Sequence, residues 1–254
     1  MEIVKNLPER LRARRAPRVQ GGPGRGLRIG RAEASADYRA GTNELAVQTA
    51  LADVLRPGMD FLDVGANVGF FTMLAARIVG PAGRAVAIEP VPANVAQVRA
   101  NARRNRLSNV EVLEMAAGDA VGTTTLVLAA HPGGAAIASA GDPPDATGTI
   151  DVEVTTVDAL VAAGRIPAPA VVKVDVEGAE AAVLRGMAAT LAEHRPVVLV
   201  EIDHGDRDGL SAKRVENVAL LEAAGYQIRW LDPSYDEADW LVEHFVATPA
   251  EVAP

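Results

Sequence analysis

Asp63-Val64-Gly65-Ala66-Asn67-Val68-Gly69 follows the apolar pair Phe61-Leu62, and Glu89 lies twenty residues past its last glycine. The apolar run stops at Gly65, the chain turns, and a helix is expected over Phe70–Val79. Glycines without a Cβ let a ligand approach the backbone of such a strand–turn–helix. A second strand, Arg84–Ile88, ends on Glu89. A carboxylate at that tip can accept both hydroxyls of a ribose. The pair predicts a cofactor that contains a nucleoside.

Outward from this unit, strands and helices alternate. A helix is expected over Asn43–Leu55, ending at Arg56-Pro57-Gly58, and the first strand over Asp60–Val64. Pro92 to about Asn105 reads as a helix with proline in its first turn and a basic last turn. Val110–Ala116 is the third strand. Thr123–Ala130 and Ile150–Val157 are β-branched strands. Between them lies His131–Thr149, rich in Gly, Pro and Ala, which reads either as a mobile loop over a site or as a disordered insertion. Ala170–Val176 is the next strand. A helix over Ala179–His194 carries Val183, Leu184, Met187 and Leu191 on one face. Pro196–Ile202 is a strand, Lys213–Ala224 a helix closed by Gly225, and Tyr226–Leu231 and Trp240–Thr248 are final strands. Apolar-run strands between amphipathic helices predict an α/β fold: a mostly parallel seven-stranded sheet with helices on both faces. The last two strands have no helix between them, which predicts a C-terminal antiparallel hairpin.

The 254 residues allow one sizeable core. Without cysteine there are no disulfides and no thiolate metal sites. No membrane span and no secretory signal are visible, which makes the cytoplasm the expected location. The net charge of −8 hides an asymmetry: residues 1–31 hold nine basic residues and two acids. A basic N-terminal arm, residues 1–35, is therefore expected to be solvated and flexible, with the domain proper over 36–254. An acidic partner, a membrane surface or a second subunit are the alternatives for that arm. It has no aromatics for base stacking, so no nucleic-acid partner is expected.

Two cofactors compete for the first motif. A nicotinamide dinucleotide needs a pyrophosphate cradle, usually Gly-x-Gly-x-x-Gly. Here the spacing is Gly65-x-x-x-Gly69, and no Lys, Arg or Ser lies between Asp63 and Phe71. S-adenosylmethionine has no phosphate, and its positive groups suit an acidic pocket between Asp63 and Asp175. The sequence favours S-adenosylmethionine.

The run from Asp63 to Thr72 resembles the first motif of FkbM-type methyltransferases, which share the class I, Rossmann-like fold. Lys173-Val174-Asp175-Val176-Glu177-Gly178-Ala179-Glu180, continued by Val183-Leu184-Arg185-Gly186, is similar to a second and more particular motif. Ala117-Gly118-Asp119 with Gly122, and Gly41-Thr42-Asn43-Glu44, fit the same family over roughly residues 40–247. The resemblance implies that Gly65, Ala66, Asn67 and Gly69 wrap the methionine end of the cofactor, with Asp63 and Asp175 facing its charges. Thr72 is a candidate for the methionine carboxylate or for a helix-turn bond, and Glu89 for the ribose. Met115 and Ala116 are expected beside the adenine, and Asp119 at its amino group or in a turn. Tyr38 and Glu44 are expected to close the pocket.

Asp175, Glu177, His204 and Lys173 are the catalytic candidates. Lys173 needs a partner inside its apolar strand, and Glu201 is the expected one. Family members carry Glu-x-His where this chain has Glu201-Ile202-Asp203, so His204, one place later, is the candidate base. His131, His194 and His244 read as structural or exposed. Asp175, Glu177, Asp203 and His204 would suit magnesium, but no spacing demands a metal and none is assigned. The expected activity is O-methyl transfer to a hydroxyl of a small-molecule acceptor, a secondary metabolite or a sugar, in natural product biosynthesis or glycan chemistry. A catalytically silent cofactor- or partner-binding domain and an NAD-dependent oxidoreductase are the alternatives. A homodimer through the N-terminal segment is left open.

Overall fold

The computed structural model describes residues 16–30, 36–129, 135–137, 146–235 and 241–250. Strands β1 (Phe61–Val64), β2 (Ala85–Ile88), β3 (Val110–Leu113), β8 (Val171–Val174), β9 (Val197–His204), β10 (Tyr226–Trp230) and β11 (Leu241–Pro249) form one sheet. Its order is β3-β2-β1-β8-β9-β11-β10. The first five positions run parallel, and β11 is antiparallel to both β9 and β10. This is the expected seven-stranded sheet with its antiparallel hairpin. Every residue of β1, β2 and β8 is buried. Their unbroken apolar runs follow from being covered on both faces.

One face carries α2 (Leu45–Val54), α3 (Phe70–Val79) and α4 (Pro92–Asn105), with α1 (Ala36–Ala40) beside them. The other carries α5 (Val157–Ala162), α6 (Glu180–Arg185), α7 (Ala188–Glu193) and α8 (Arg207–Ala223). A core cluster fills each interface. No helix among the described residues is long and apolar enough to cross a membrane.

Three features depart from the sequence reading. A second sheet of four strands, β4-β7-β5-β6, stands beside the first. It uses β4 (Ala116–Ala117), β5 (Gly122–Ala129), β6 (Ala135–Ile137) and β7 (Ala146–Thr155). The third strand therefore ends at Leu113, and Ala116 already belongs to the second sheet. The expected loop His131–Thr149 contributes β6 and the start of β7; residues 130–134 and 138–145, His131 included, lie outside the described residues. α5 begins where a strand was expected to end, because the Thr156 hydroxyl accepts from Ala159 N and caps a helix.

The expected helix 179–194 is two helices. Gly186 packs so tightly that a Cβ there would lie 1.9 Å from the Gly118 carbonyl oxygen. The second half is then capped from outside: Asp158 accepts from Ala189 N at 2.8 Å and Thr190 N at 2.7 Å. Periodicity continues through the break because both halves face one core.

Residues 16–30 are not a solvated arm. Val19, Leu27 and Ile29 are buried in the core against α2, α3 and α4. Side chains of the body tie down the backbone: Gly24 N donates to Gln48 Oε1 at 3.1 Å, Gly30 N to Asn101 Oδ1 at 3.1 Å, and Arg28 N to Asn105 Oδ1 at 2.8 Å. Asn101 also donates to the Val68 carbonyl at 2.8 Å, joining this segment to the glycine-rich loop. Residues 1–15 and 31–35 lie outside the described residues. The basic count misled because charged side chains hide an apolar triplet at 19, 27 and 29. Ile29→Ala should cost about 2–5 kcal/mol of stability, read as a lower midpoint in urea unfolding; an unchanged midpoint would restore the solvated-arm reading.

Candidate functional site

A single cavity opens at the carboxyl ends of β1, β2, β8 and β9, where an open α/β sheet binds ligands. Asp63, Gly65, Ala66, Asn67, Glu89, Ala116, Lys173, Asp175 and Glu177, all named as candidates from the sequence, line it. So do Tyr38 and Glu44 from the N-terminal side. The sequence reading missed Asn43, Phe70, Phe71, Leu126, Glu201 and Tyr235. Leu126 comes from the second sheet, which no motif announced.

On the loop side, Gly65 has φ +82°, and a Cβ there would lie 1.7 Å from the Asp175 carbonyl oxygen. The loop and the end of β8 can touch only because the position has no side chain. Glu89 organises the loop by accepting from Asn67 N at 2.8 Å, Val91 N at 2.9 Å and Asn94 Nδ2 at 3.2 Å. Burial outweighs those bonds and pushes its carboxyl up to about 7. Asp63 is 1% exposed, and burial pushes it up to about 6 against the pull of Lys173 and Thr72. Asp63 Oδ1 and Asn67 Oδ1 are both buried without a hydrogen-bond partner. Two such acceptors at one cavity wall are costly unless a ligand supplies donors.

Thr72 is buried and outside the cavity. Its hydroxyl donates to Asp63 Oδ2 at 2.5 Å, so it positions that carboxylate and is not free for a ligand's own. Gly69 caps α3 and packs on Val98. Met115 packs against the core of the opposite face, while Ala116 and Ala117 reach the cavity. Asp119 is exposed and pairs with Arg185 at 3.4 Å. It belongs to the surface.

On the strand side, Lys173 is 2% exposed and its Nζ lies 2.5 Å from Asp175 Oδ2 and 4.6 Å from the centroid of the Phe71 ring. The expected Lys173–Glu201 pair is thus replaced by Lys173–Asp175. Burial by itself would lower the lysine's pKa, but Asp175, Glu44, Glu201 and Asp63 outweigh it and hold the ammonium charged. Glu177 sits at the mouth with φ 50°. The residue is exposed overall, but desolvation of its carboxyl and then the charges of Asp203, Asp175 and Glu201 push it up to about 8. Glu180 is buried and accepts from Gly178 N at 2.7 Å, with Lys213 at 3.7 Å. It is structural.

His204 is not brought to the cavity. Its ring lies over Gly209 at the start of α8, and its Nδ1 accepts from Asp206 N at 3.1 Å. Asp203 turns to Lys213 at 3.1 Å. The magnesium set imagined from Asp175, Glu177, Asp203 and His204 therefore does not assemble. Among the described residues the buried histidine is His244, whose Nε2 lies 2.6 Å from Glu201 Oε2. Burial alone would lower its pKa; bonds and charge from Glu201 and Glu44 push it up to about 9. Burial, then Asp175, push Glu201 up to about 8. His244 carried no motif and was reached only by β11 pairing with β9.

Asp63, Glu89, Glu177, Glu201 and His244, whose values are raised, hold protons in the folded state that the unfolded chain has already released. Stability contributed in this way is present at low pH and lost as pH rises through the folded pKa. The melting temperature of the ligand-free protein should fall as pH is raised from about 5 to about 9, followed by scanning fluorimetry. A rising midpoint over that window would contradict the raised values.

The family model described as the methyltransferase FkbM domain matches residues 63–228. The 31-O-demethyl-FK506 methyltransferase FkbM of Streptomyces tacrolimicus is 31% identical over 201 residues, covering 68% of this chain and 75% of that one. Among solved structures, the methyltransferase FkbM of Methylobacillus flagellatus KT superposes with a TM-score of 0.51 at 18% identity, covering 96% of this chain and 60% of that one. The precorrin-6y C5,15-methyltransferase of Geobacter metallireducens GS-15 gives a TM-score of 0.51 at 14% identity, covering 88% of this chain and 94% of that one.

Proposed function

The chain belongs to the FkbM methyltransferase family of S-adenosylmethionine-dependent enzymes, and from that premise we propose that it is an O-methyltransferase acting on a hydroxyl of a small molecule, a secondary metabolite or a sugar. One observation carries this reading. Unpartnered acceptors on the β1–α3 loop and the charged ends of β8 and β9 border one continuous cavity. A cofactor and an acceptor can therefore meet there. The Streptomyces relative, whose name specifies a 31-O-demethyl substrate, supports oxygen as the methylated atom.

When bound, S-adenosylmethionine supplies an electrophilic methyl group. The chain's own residues do the rest. Glu89 accepts the ribose hydroxyls from the tip of β2. Asp63 and Asn67 would offer their free oxygens to the ammonium group of the methionine end. Gly65, by letting the loop touch the end of β8, shapes the wall where that end would be held, and Ala116 with Leu126 would give the adenine an apolar wall. Asp175, fixed by Lys173, borders the junction between the two halves and orients the acceptor hydroxyl. Glu177, with a carboxyl tuned near 8, accepts the proton that hydroxyl loses. Tyr38 and Tyr235 close the far side and exclude water. Positioning accounts for most of the rate.

Calorimetry of the purified protein should show S-adenosylmethionine and S-adenosylhomocysteine binding, with no binding of NAD. Glu89→Ala removes two charge-assisted hydrogen bonds of about 1.5–3 kcal/mol each and should weaken both by about 100-fold or more. Unchanged affinity would remove Glu89 from the ribose site. With an active acceptor in hand, kcat/KM should rise with pH through about 8 and level off. Glu177→Gln should lower it by about 10²–10⁴-fold and abolish that limb; a profile that keeps the limb would exclude Glu177 as the proton acceptor.

A further inference from the structure

Three side chains from distant parts of the sequence converge beside the acceptor half of the cavity. Glu44 ends the turn before α2, Glu201 lies on β9, and His244 lies on β11, directly opposite Glu201 in the strand register. One ligand atom from each lies within 4.8 Å of the other two. Glu44 Oε2 is buried and has no hydrogen-bond donor; it lies 3.7 Å from His244 Nε2. Glu44 stands at the N-cap position of α2 with φ 44°, yet its carboxylate makes no cap bond. The side chain is committed to the cluster instead of the helix end.

The opposite atoms of two of these groups are already held. Glu44 Oε1 accepts from Tyr235 at 3.2 Å and from Asn43 Nδ2 at 3.1 Å. His244 Nδ1 lies 3.5 Å from Ser234 Oγ. Outer partners of this kind fix the tautomer and aim of metal ligands.

We propose that Glu44, Glu201 and His244 form a binding site for one divalent first-row metal ion. Two carboxylates and one imidazole nitrogen suit manganese or zinc better than magnesium, which takes oxygen ligands. Glu201 also lines the cavity, so the ion keeps an open side toward the acceptor. An alcohol bound there would lose its proton more readily; this last step rests on the methyltransferase reading, whereas the site itself does not.

The test uses the full chain, stripped with chelator and titrated with Mn²⁺ and, separately, Zn²⁺ by calorimetry. One equivalent of either ion should bind. Pulsed electron paramagnetic resonance of the Mn²⁺-loaded protein should show coupling to one imidazole nitrogen, and that coupling should vanish in His244→Asn. Tyr235→Phe, an exposed outer-partner change with little risk to folding, should weaken the ion by about 10–100-fold. Failure of both ions to bind at one equivalent overturns the site, as does a bound ion without nitrogen coupling. Titration of the stripped protein with S-adenosylmethionine runs in parallel: loss of that binding would count against the methyltransferase reading, while metal binding would still stand or fall by its own signals.

Discussion

Lys173 places a full positive charge inside the central sheet, and the acids around the cavity depend on it. Moving an ammonium out of water costs several kcal/mol unless opposite charges and hydrogen bonds replace the solvent. Asp175 supplies the direct contact, and the Phe71 ring face supplies a second, weaker one. Glu44, Asp63 and Glu201 add attraction from further away. The dependence is mutual. Without the lysine, carboxylates drawn from four separate stretches of chain would repel one another in a poorly solvated space.

This arrangement couples the two halves of the cavity. Asp63 and Lys173 are neighbours in the β1–β8 register, and Gly65 touches the backbone of Asp175. Any shift of β8 against β1 would disturb the glycine-rich loop and the Lys173–Asp175 pair together. The far wall is less regular. It is built by α1, the turn before α2 and Tyr235 in the segment after β10, and Tyr38 and Tyr235 give it aromatic rings. The strap of residues 16–30 braces this wall, packing on α2 and, through Asn101, on the loop itself.

The fold was legible where one local pattern answered to one environment. Buried strands read as apolar runs, and Pro92 and the closing Gly225 marked helix ends correctly. The reading failed where a distant contact overrode a local preference. The helix from 179 breaks because Gly118 approaches at Gly186 and Asp158 caps the second half. The strand expected to run through Val157 stops because Thr156 caps a helix. The strap reads as a charged arm because its few apolar residues are spaced by arginines and glycines and show no period.

The sequence by itself determined the family, the cofactor class, the parallel sheet and the loop residues Gly65, Ala66 and Asn67 that line the cavity. These are coded by short motifs whose members are neighbours along the chain, so local geometry suffices to bring them together. Only the tertiary structure decided the half of the cavity at the ends of β8 and β9. It exchanged Glu201 for Asp175 as the partner of Lys173, sent Thr72 to Asp63, and removed His204 to the surface. It also placed His244 beside Glu201 and Glu44. Strand pairing sets those neighbours, and residues 44, 201 and 244 share no spacing from which their meeting could be read.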